Sequence, residues 1–462
     1  MKKSILYILI IALIFSSCNS QTNKDKKNAK KDSIRLSVYQ FPERTKKSNI
    51  YEVNIRQYTP EGTFKAFENH IPRLKKMGVD ILWLMPIFPI SEKNRKGSLG
   101  SYYSVANYKK VNPMFGTNED LHNIIKTAHE NDMLVILDWV ANHTGWDNPW
   151  ITEHPNWYTK DSLGNIVCTV GTDWTDVADL NYNNKDMRAA MIDALKYWVT
   201  DFDVDGYRCD VAGMVPTDFW NNARTELDKI KPVFMLAEAE QLDLHKKAFD
   251  MGYAWNLHHI MNEIAKGKKN AKDLREYFEN TKKEYPKKVY KMAFTSNHDE
   301  NSWNGTEYER MPNSYKTFAT LTFVIPGMPL IYSGQEAGLN KRLRFFDKDT
   351  IDWSNLEMQD FYQKLIQLKN ENPSLWNGEA GSDIYFINTS NHQQIFTFKR
   401  IKNNNRVLVM MNLSNKDAKF HYMEKDFERT YTDYFTDEEV KIKPQTSYTL
   451  KPWEYKILIE NK

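Results

Sequence analysis

From about residue 50 the chain alternates apolar, strand-like runs with amphipathic, helix-like ones, eight times over roughly 300 residues. "IYEVNIRQY" (50–58), "VDILWLMPI" (79–87) and "MLVILDWV" (133–140) read as strands. Further strands are predicted at 205–212, 232–238, 253–258, 290–297 and 328–333. Between them, helical spacing covers 64–78, 118–132, 185–202, 217–230, 242–250, 271–284, 313–325 and 358–371. Nearly continuous apolar strands suit parallel pairing with both faces buried. Eight strand–helix pairs predict an α/β fold, a (β/α)8 TIM barrel. A doubly wound open sheet is the alternative. No GxGxxG or GxxxxGKS phosphate loop supports it.

The rhythm breaks twice. Residues 144–184 hold Trp, Pro, Gly, Asp and Asn without periodicity and read as a small subdomain inserted after strand three. After residue 377, "DIYFINTS", "QQIFTFKRI", "RVLVMMNLS" and "WEYKILIE" alternate with turns and no helix intervenes. Residues 378–462 are therefore expected to form a C-terminal antiparallel β-sandwich, with the barrel in 34–143 and 185–377.

At the N-terminus, Lys2 and Lys3 precede an apolar run from Ile5 to Phe15, then Ser16, Ser17 and Cys18. This is the pattern of a secretory signal. Ending at a cysteine, residues 1–18 resemble a bacterial lipoprotein signal, which implies that Cys18 becomes the lipidated first residue. A plain signal peptide is the alternative. Residues 19–33 are lysine-rich and cannot bury enough surface to fold, so they read as a tether. The expectation is an exported chain, lipid-anchored to the outer membrane on its periplasmic side or at the cell surface.

The net charge of +3 carries no nucleic-acid footprint. Besides Cys18 only Cys168 and Cys209 remain, too few for a disulfide framework. Aromatic residues make up 13% of the chain, which suits stacking on flat partners such as sugar rings.

In a barrel of this kind chemistry belongs at the C-terminal ends of the strands. Four predicted strand ends are unusually polar. "DWVANH" carries Asp138, Asn142 and His143, and "GYRCDVA" carries Arg208 and Asp210. "VFMLAEAE" carries Glu238 and Glu240, and "KMAFTSNHD" carries Asn297, His298 and Asp299. One such end could be a loop cap; four converging on one rim make a site. Zinc spacing, HExxH and a GxSxG elbow are all missing from the sequence. What remains is a set of carboxylates with Arg and His, the kit of glycoside hydrolysis.

Those four stretches resemble, in order, the four signature regions of the α-amylase family of glycoside hydrolases. "GVDILWLMPIFP" resembles that family's second barrel strand and "GMPLIYSGQE" (327–336) its eighth. "YYSVANYKKVNPMFGT" (102–117) resembles the segment bearing a tyrosine that stacks on the sugar. The resemblance covers residues 50 to about 450. It implies a retaining enzyme acting on α-glucans or maltooligosaccharides through a covalent glycosyl-enzyme intermediate. Asp210 would be the nucleophile, Glu238 the general acid/base and Asp299 the third acid. Arg208 would keep Asp210 charged. His143 and His298 would bind sugar hydroxyls, Tyr103 would stack on the ring, and Asp138 would brace the site. Glu240, two residues beyond Glu238, is the competing carboxylate.

The sequence also departs from the family. Gly213 and Met214 stand where many α-amylases carry a Lys-His pair that serves the leaving-group side and a calcium ion. Asn142 matches a family calcium ligand, so a structural calcium is left open; the chemistry itself needs no cofactor. "ADLN" (178–181) ends in Asn181, which leans toward oligosaccharide substrates. An exo-acting α-glucosidase, an α-1,6-acting enzyme or a glucanotransferase would use the same residues. A non-catalytic sugar-binding protein on this fold would be expected to lack the three acids.

Overall fold

The computed structural model describes residues 43–424 and 428–460. The predicted signal, Cys18 and the tether lie outside the described residues.

Eight short strands pair in parallel into a closed barrel. They are β1 (Ile50–Val53), β2 (Ile81–Leu84), β3 (Leu134–Trp139) and β4 (Gly206–Cys209). β5 (Phe234–Ala237), β6 (Met251–Tyr253), β7 (Tyr290–Ala293) and β8 (Met328–Tyr332) complete it. β8 closes on β1 with Ile50 opposite Leu330.

Side chains alternate across each strand, so one parity fills the barrel and the other faces the helices. Ile50, Ile81, Trp83, Ile136, Leu236 and Met292 pack inside. Tyr51, Leu82, Leu137, Cys209 and Ala237 belong to the outer core against the helices. The same parity, carried one or two residues further up each strand, sends Glu52, Asp138, Arg208, Asp210 and Glu238 toward the barrel mouth. Register sets their height: Asp138 lies opposite Arg208, and Arg208 opposite Leu236. At the foot of β4, Gly206 has φ +151°, and a Cβ there would meet the Phe234 carbonyl oxygen at 1.9 Å. Only glycine lets β4 and β5 approach so closely.

Helices Lys185–Phe202 and Ala271–Glu284 keep the predicted bounds. Other elements differ. The first predicted strand stops at Val53, and Ile55–Tyr58 is a helical turn. There the Arg56 guanidinium donates to the carbonyls of Leu99, Gly100 and Phe345, so a buried polar side chain ties loops instead of extending the sheet. The predicted helix at 64–78 divides into Phe64–Glu68 and Ile71–Met77, with Pro72 in the first turn of the second. The predicted helix at 242–250 is only a 3-10 turn, Leu242–Lys246. The strand placed at 253–258 ends at Tyr253, and Trp255–Ala265 is helix. Leu257, Met261 and Ile264 are buried at helical spacing there. A short apolar run does not by itself tell strand from buried helix.

The insertion after β3 is pinned by an antiparallel pair, His143–Gly145 with Val177–Asp179. The C-terminal part forms a six-stranded antiparallel sheet, with a two-stranded ribbon of Ala418–Phe420 and Tyr448–Leu450. Leu408, Met410, Phe420, Leu450 and Leu458 share the core between them. Buried Arg400 ties this sheet to the barrel. Arg400 donates to the Val324 carbonyl and to Ser382 Oγ. Lys369 donates to the carbonyls of Gly327 and Leu375.

Candidate active site

One guanidinium organises the barrel mouth. Arg208 is fully buried. Its Nη1 donates to Asp138 Oδ1 at 2.8 Å and to Asp210 Oδ1 at 2.9 Å. Its Nε donates to the Tyr253 hydroxyl at 3.0 Å. Its Nη2 lies 2.9 Å from Glu238 Oε2. That contact is an ion pair without hydrogen-bond alignment, since Nη2 has no directed partner. The oxygen of Glu238 instead accepts from the Val211 N–H at 2.8 Å.

Three buried carboxylates thus share one cation, and burial outweighs its pull. Asp210 and Asp138 are each pushed up to about 6 by burial, with Arg208 opposing. Glu238 is pushed up to about 7 by burial, against Arg208 and with help from Asp210 and Asp299. Arg208 lowers Asp210 as the sequence suggests, but it does not restore the ordinary carboxylate range. The two aspartates hold aligned hydrogen bonds from Nη1, whereas Glu238 takes its aligned bond from the Val211 N–H. Burial raises Glu238 most clearly toward a proton-holding state near neutral pH.

The other expected residues lie around this centre. The Tyr103 hydroxyl donates to Asp138 Oδ2 at 3.0 Å and touches His298 Nε2 at 2.7 Å. Its ring stacks on Phe345, 10° from parallel. Asp299 Oδ2 is 3.3 Å from His298 Nε2. His143 is buried, its ring edge against Trp174, and burial lowers it to about 4, so it is neutral. Tyr103, His143, Asp210, Glu238, His298 and Asp299 line one cavity of about 550 Å3. This volume lies within the range of small-ligand sites. Asn297 sits below it and caps the following turn, accepting from the Glu300 N–H.

Glu240 is engaged elsewhere. It pairs with Lys291 at 3.0 Å and accepts from the Asn256 N–H at the start of helix Trp255–Ala265.

A model of the alpha amylase catalytic domain matches residues 25–163 and 170–423. The chain belongs to the α-amylase family. As a member it is an enzyme of glycosidic bonds. The crystal structure of a noncanonic maltogenic alpha-amylase from Thermotoga neapolitana superposes with a TM-score of 0.83 at 29% identity, over 90% of this chain and 99% of that one. An alpha-amylase from Lactobacillus plantarum gives 0.81 at 30%, over 90% and 99%. The maltogenic alpha-amylase of Bacillus acidopullulyticus is 26% identical over 428 residues, 86% of this chain and 70% of that protein.

Within this α-amylase-family chain, the side chains near Asn142 are bonded to one another. Calcium takes about 6–8 oxygen ligands, carboxylates among them. Asn142 instead turns its amide nitrogen to Thr169 Oγ1 at 2.9 Å, and that hydroxyl donates to Asp179 Oδ1 at 2.9 Å. Among the described residues, three or more His, Cys, Asp or Glu side chains nowhere gather as a metal group. At Gly213, a Cβ would meet the Gln241 amide at 2.3 Å. Gln241 fills the space beside Gly213, and Met214 is exposed.

Several residues escaped the sequence reading. Glu52 is buried on β1 and meets His298 Nδ1 at 2.5 Å. Its signal was available: an acid in a strand whose other residues are apolar, at the parity of Ile50. Trp83 Nε1 donates to Asp138 Oδ2 at 3.2 Å. Trp303, Phe345 and Phe346 form one cavity wall, with Trp303 on the turn Glu300–Asn304 after Asp299. Across from them Lys96 joins the insertion through the Asp173 carbonyl and Asp176 Oδ1. Loop residues of this kind carry no periodic pattern to read.

Proposed function

We propose that this protein is a retaining glycoside hydrolase that cleaves α-glucosidic bonds of starch-type glucans or maltooligosaccharides. The observation that carries the reading is the split between two carboxylates on one guanidinium: Asp210, aligned with Arg208, and Glu238, unaligned and raised by burial to about 7.

In the first step a carboxylate oxygen of Asp210 attacks the anomeric carbon. The bond to the leaving oxygen breaks, and Glu238 gives that oxygen its proton. In the second step water attacks the same carbon, Glu238 takes its proton, and Asp210 leaves as carboxylate. Asp299 and His298 hold hydroxyls of the sugar being cleaved. Tyr103 stacks on its face, and neutral His143 donates or accepts at its edge. Asp138 fixes Arg208 and Tyr103 at once.

Small products are favoured within this reading. Relatives with matching chains are named maltogenic alpha-amylase and cyclomaltodextrinase, and Asn181 leans the same way. Export and a lipid anchor at Cys18 belong to the same proposal, because a glucan too large to enter the cell must be cut outside the cytoplasm.

The test is product analysis. The protein from residue 33 onward is incubated with starch, maltoheptaose, pullulan and isomaltose, beside Asp210→Asn. Short α-configured maltooligosaccharides, missing in the control, are expected. Glucose alone would mean exo action, and products longer than the substrate a transferase. No turnover of any α-glucan by folded protein would overturn the proposal.

A further inference from the structure

His298 sits among five partners at the barrel mouth. On one side its Nδ1 meets Glu52 Oε1 at 2.5 Å. On the other its Nε2 meets the Tyr103 hydroxyl at 2.7 Å and Asp299 Oδ2 at 3.3 Å. The Trp83 ring stands edge-on to it, and Phe345 stacks over it. Both His298 and Glu52 are buried. The second oxygen of Glu52 has no hydrogen-bond partner among the described residues, so His298 is its principal one.

A neutral imidazole has one donor nitrogen and one acceptor. If Nδ1–H served Glu52 in a neutral ring, Nε2 would have to accept. The Tyr103 hydroxyl would then donate to His298 and leave Asp138 Oδ2. An imidazolium donates from both nitrogens. Tyr103 then accepts from His298 and keeps its own proton for Asp138 Oδ2, 3.0 Å away. The protonation state of one ring therefore decides which way a hydroxyl points, and that hydroxyl ends on the carboxylate that shares Nη1 of Arg208 with Asp210.

We propose that Glu52 is a positioning residue that holds His298 as a doubly donating imidazolium and so fixes the Tyr103 hydroxyl toward Asp138. The inference deepens the hydrolase reading, since it assigns Glu52 to the site that reading uses. The surrounding charges agree in sign. Burial alone would lower His298, and Arg208 lowers it further, but Asp299 and Glu52 outweigh both and raise it to about 9. Asp138 stands one hydroxyl away and carries the same favourable sign. Glu52 is itself pushed up by burial and pulled down by His298 and Arg208.

The test reads the ring directly. Protein labelled with 15N-histidine is titrated by NMR, with His298 assigned by its disappearance in His298→Asn. In the wild type both ring nitrogens are expected at imidazolium shifts at pH 7. In Glu52→Gln the titration should fall by at least about one pH unit. Glu52→Asp, which keeps the charge, should recover part of the shift. A merely structural role would lower activity at every pH and leave the titration in place. A neutral His298 in the wild type at pH 7, or the same titration in Glu52→Gln, would overturn the proposal. The wild-type spectrum decides even if the variant fails to fold. The readout needs no turnover, so an inactive protein would sink the hydrolase reading without touching this one.

Discussion

The backbone N–H of Val211, the residue after Asp210, donates to Oε2 of Glu238 at 2.8 Å. Val211 makes this bond from a left-handed conformation, φ +36° and ψ +46°. A β-branched residue is strained there, by ~1–3 kcal/mol. Glycine would remove the strain at an entropic cost of ~0.5–1 kcal/mol. Val211→Gly is therefore expected to unfold at an equal or higher temperature while kcat falls, because the donor to Glu238 is no longer held. A lower Tm with unchanged kcat would show that the conformation stores nothing useful.

Glu238 as proton donor makes a substrate-dependent prediction. Glu238→Gln should lose about 10²–10⁴ in kcat on maltooligosaccharides. It should lose far less on α-maltosyl fluoride, whose leaving group needs no proton. Asp210→Asn should lose both activities. Equal losses of Glu238→Gln on the two substrates would reassign the acid.

The pH profile follows from the same pair. Asp210 must be ionised, and burial has raised it to about 6. Glu238 must be protonated, and burial has raised it to about 7. Activity should fall as pH drops through the first value and again as pH rises through the second. The limbs belong to the carboxylate cluster as a whole. A kcat/KM profile flat from pH 5 to 9 would contradict this arrangement (roughly the range over which such groups titrate).

Stability should move the other way from activity in Glu238→Gln. The folded state holds the Glu238 proton more tightly than the unfolded chain does. Its contribution is full below the unfolded carboxylate range and is lost as pH rises through about 7. The amide cannot ionise, so the variant should be more stable than wild type at pH 8, by ~1–3 kcal/mol. Denaturant melts should show this gain vanish by about pH 4.

The insertion is braced by protein groups. Asn142 donates to Thr169, and Thr169 to Asp179. Thermal unfolding is therefore expected at the same temperature with and without EDTA. Thr169→Val should lower it by about 1 kcal/mol in stability.

The sequence made the barrel legible because eight buried parallel strands each leave a continuous apolar run. The four polar strand ends were legible for the same reason, since Asp138, Arg208, Glu238 and His298 interrupt such runs. β6 was displaced because only three residues, Met251–Tyr253, form it, and the apolar stretch beyond is helix. Glu52 was overlooked because a single acid in a strand has no partner in the linear sequence. Its partner is His298, brought near by the closure of β8 on β1. The aromatic wall of Trp303 and Phe345 arises from two loops that meet only in three dimensions.

Arg400 belongs to the C-terminal sheet, yet its hydrogen bond ends on Val324, four residues before β8 begins. Lys369, from the last barrel helix, holds the carbonyl of Gly327, directly before that strand. The chain leading into the eighth stave is thus tied from outside by Arg400 of a sheet that looks detachable. A chain cut after the barrel helices would lose that tie below the eighth stave. In this protein the C-terminal sheet is anchored at the foot of the barrel, at the end opposite the mouth.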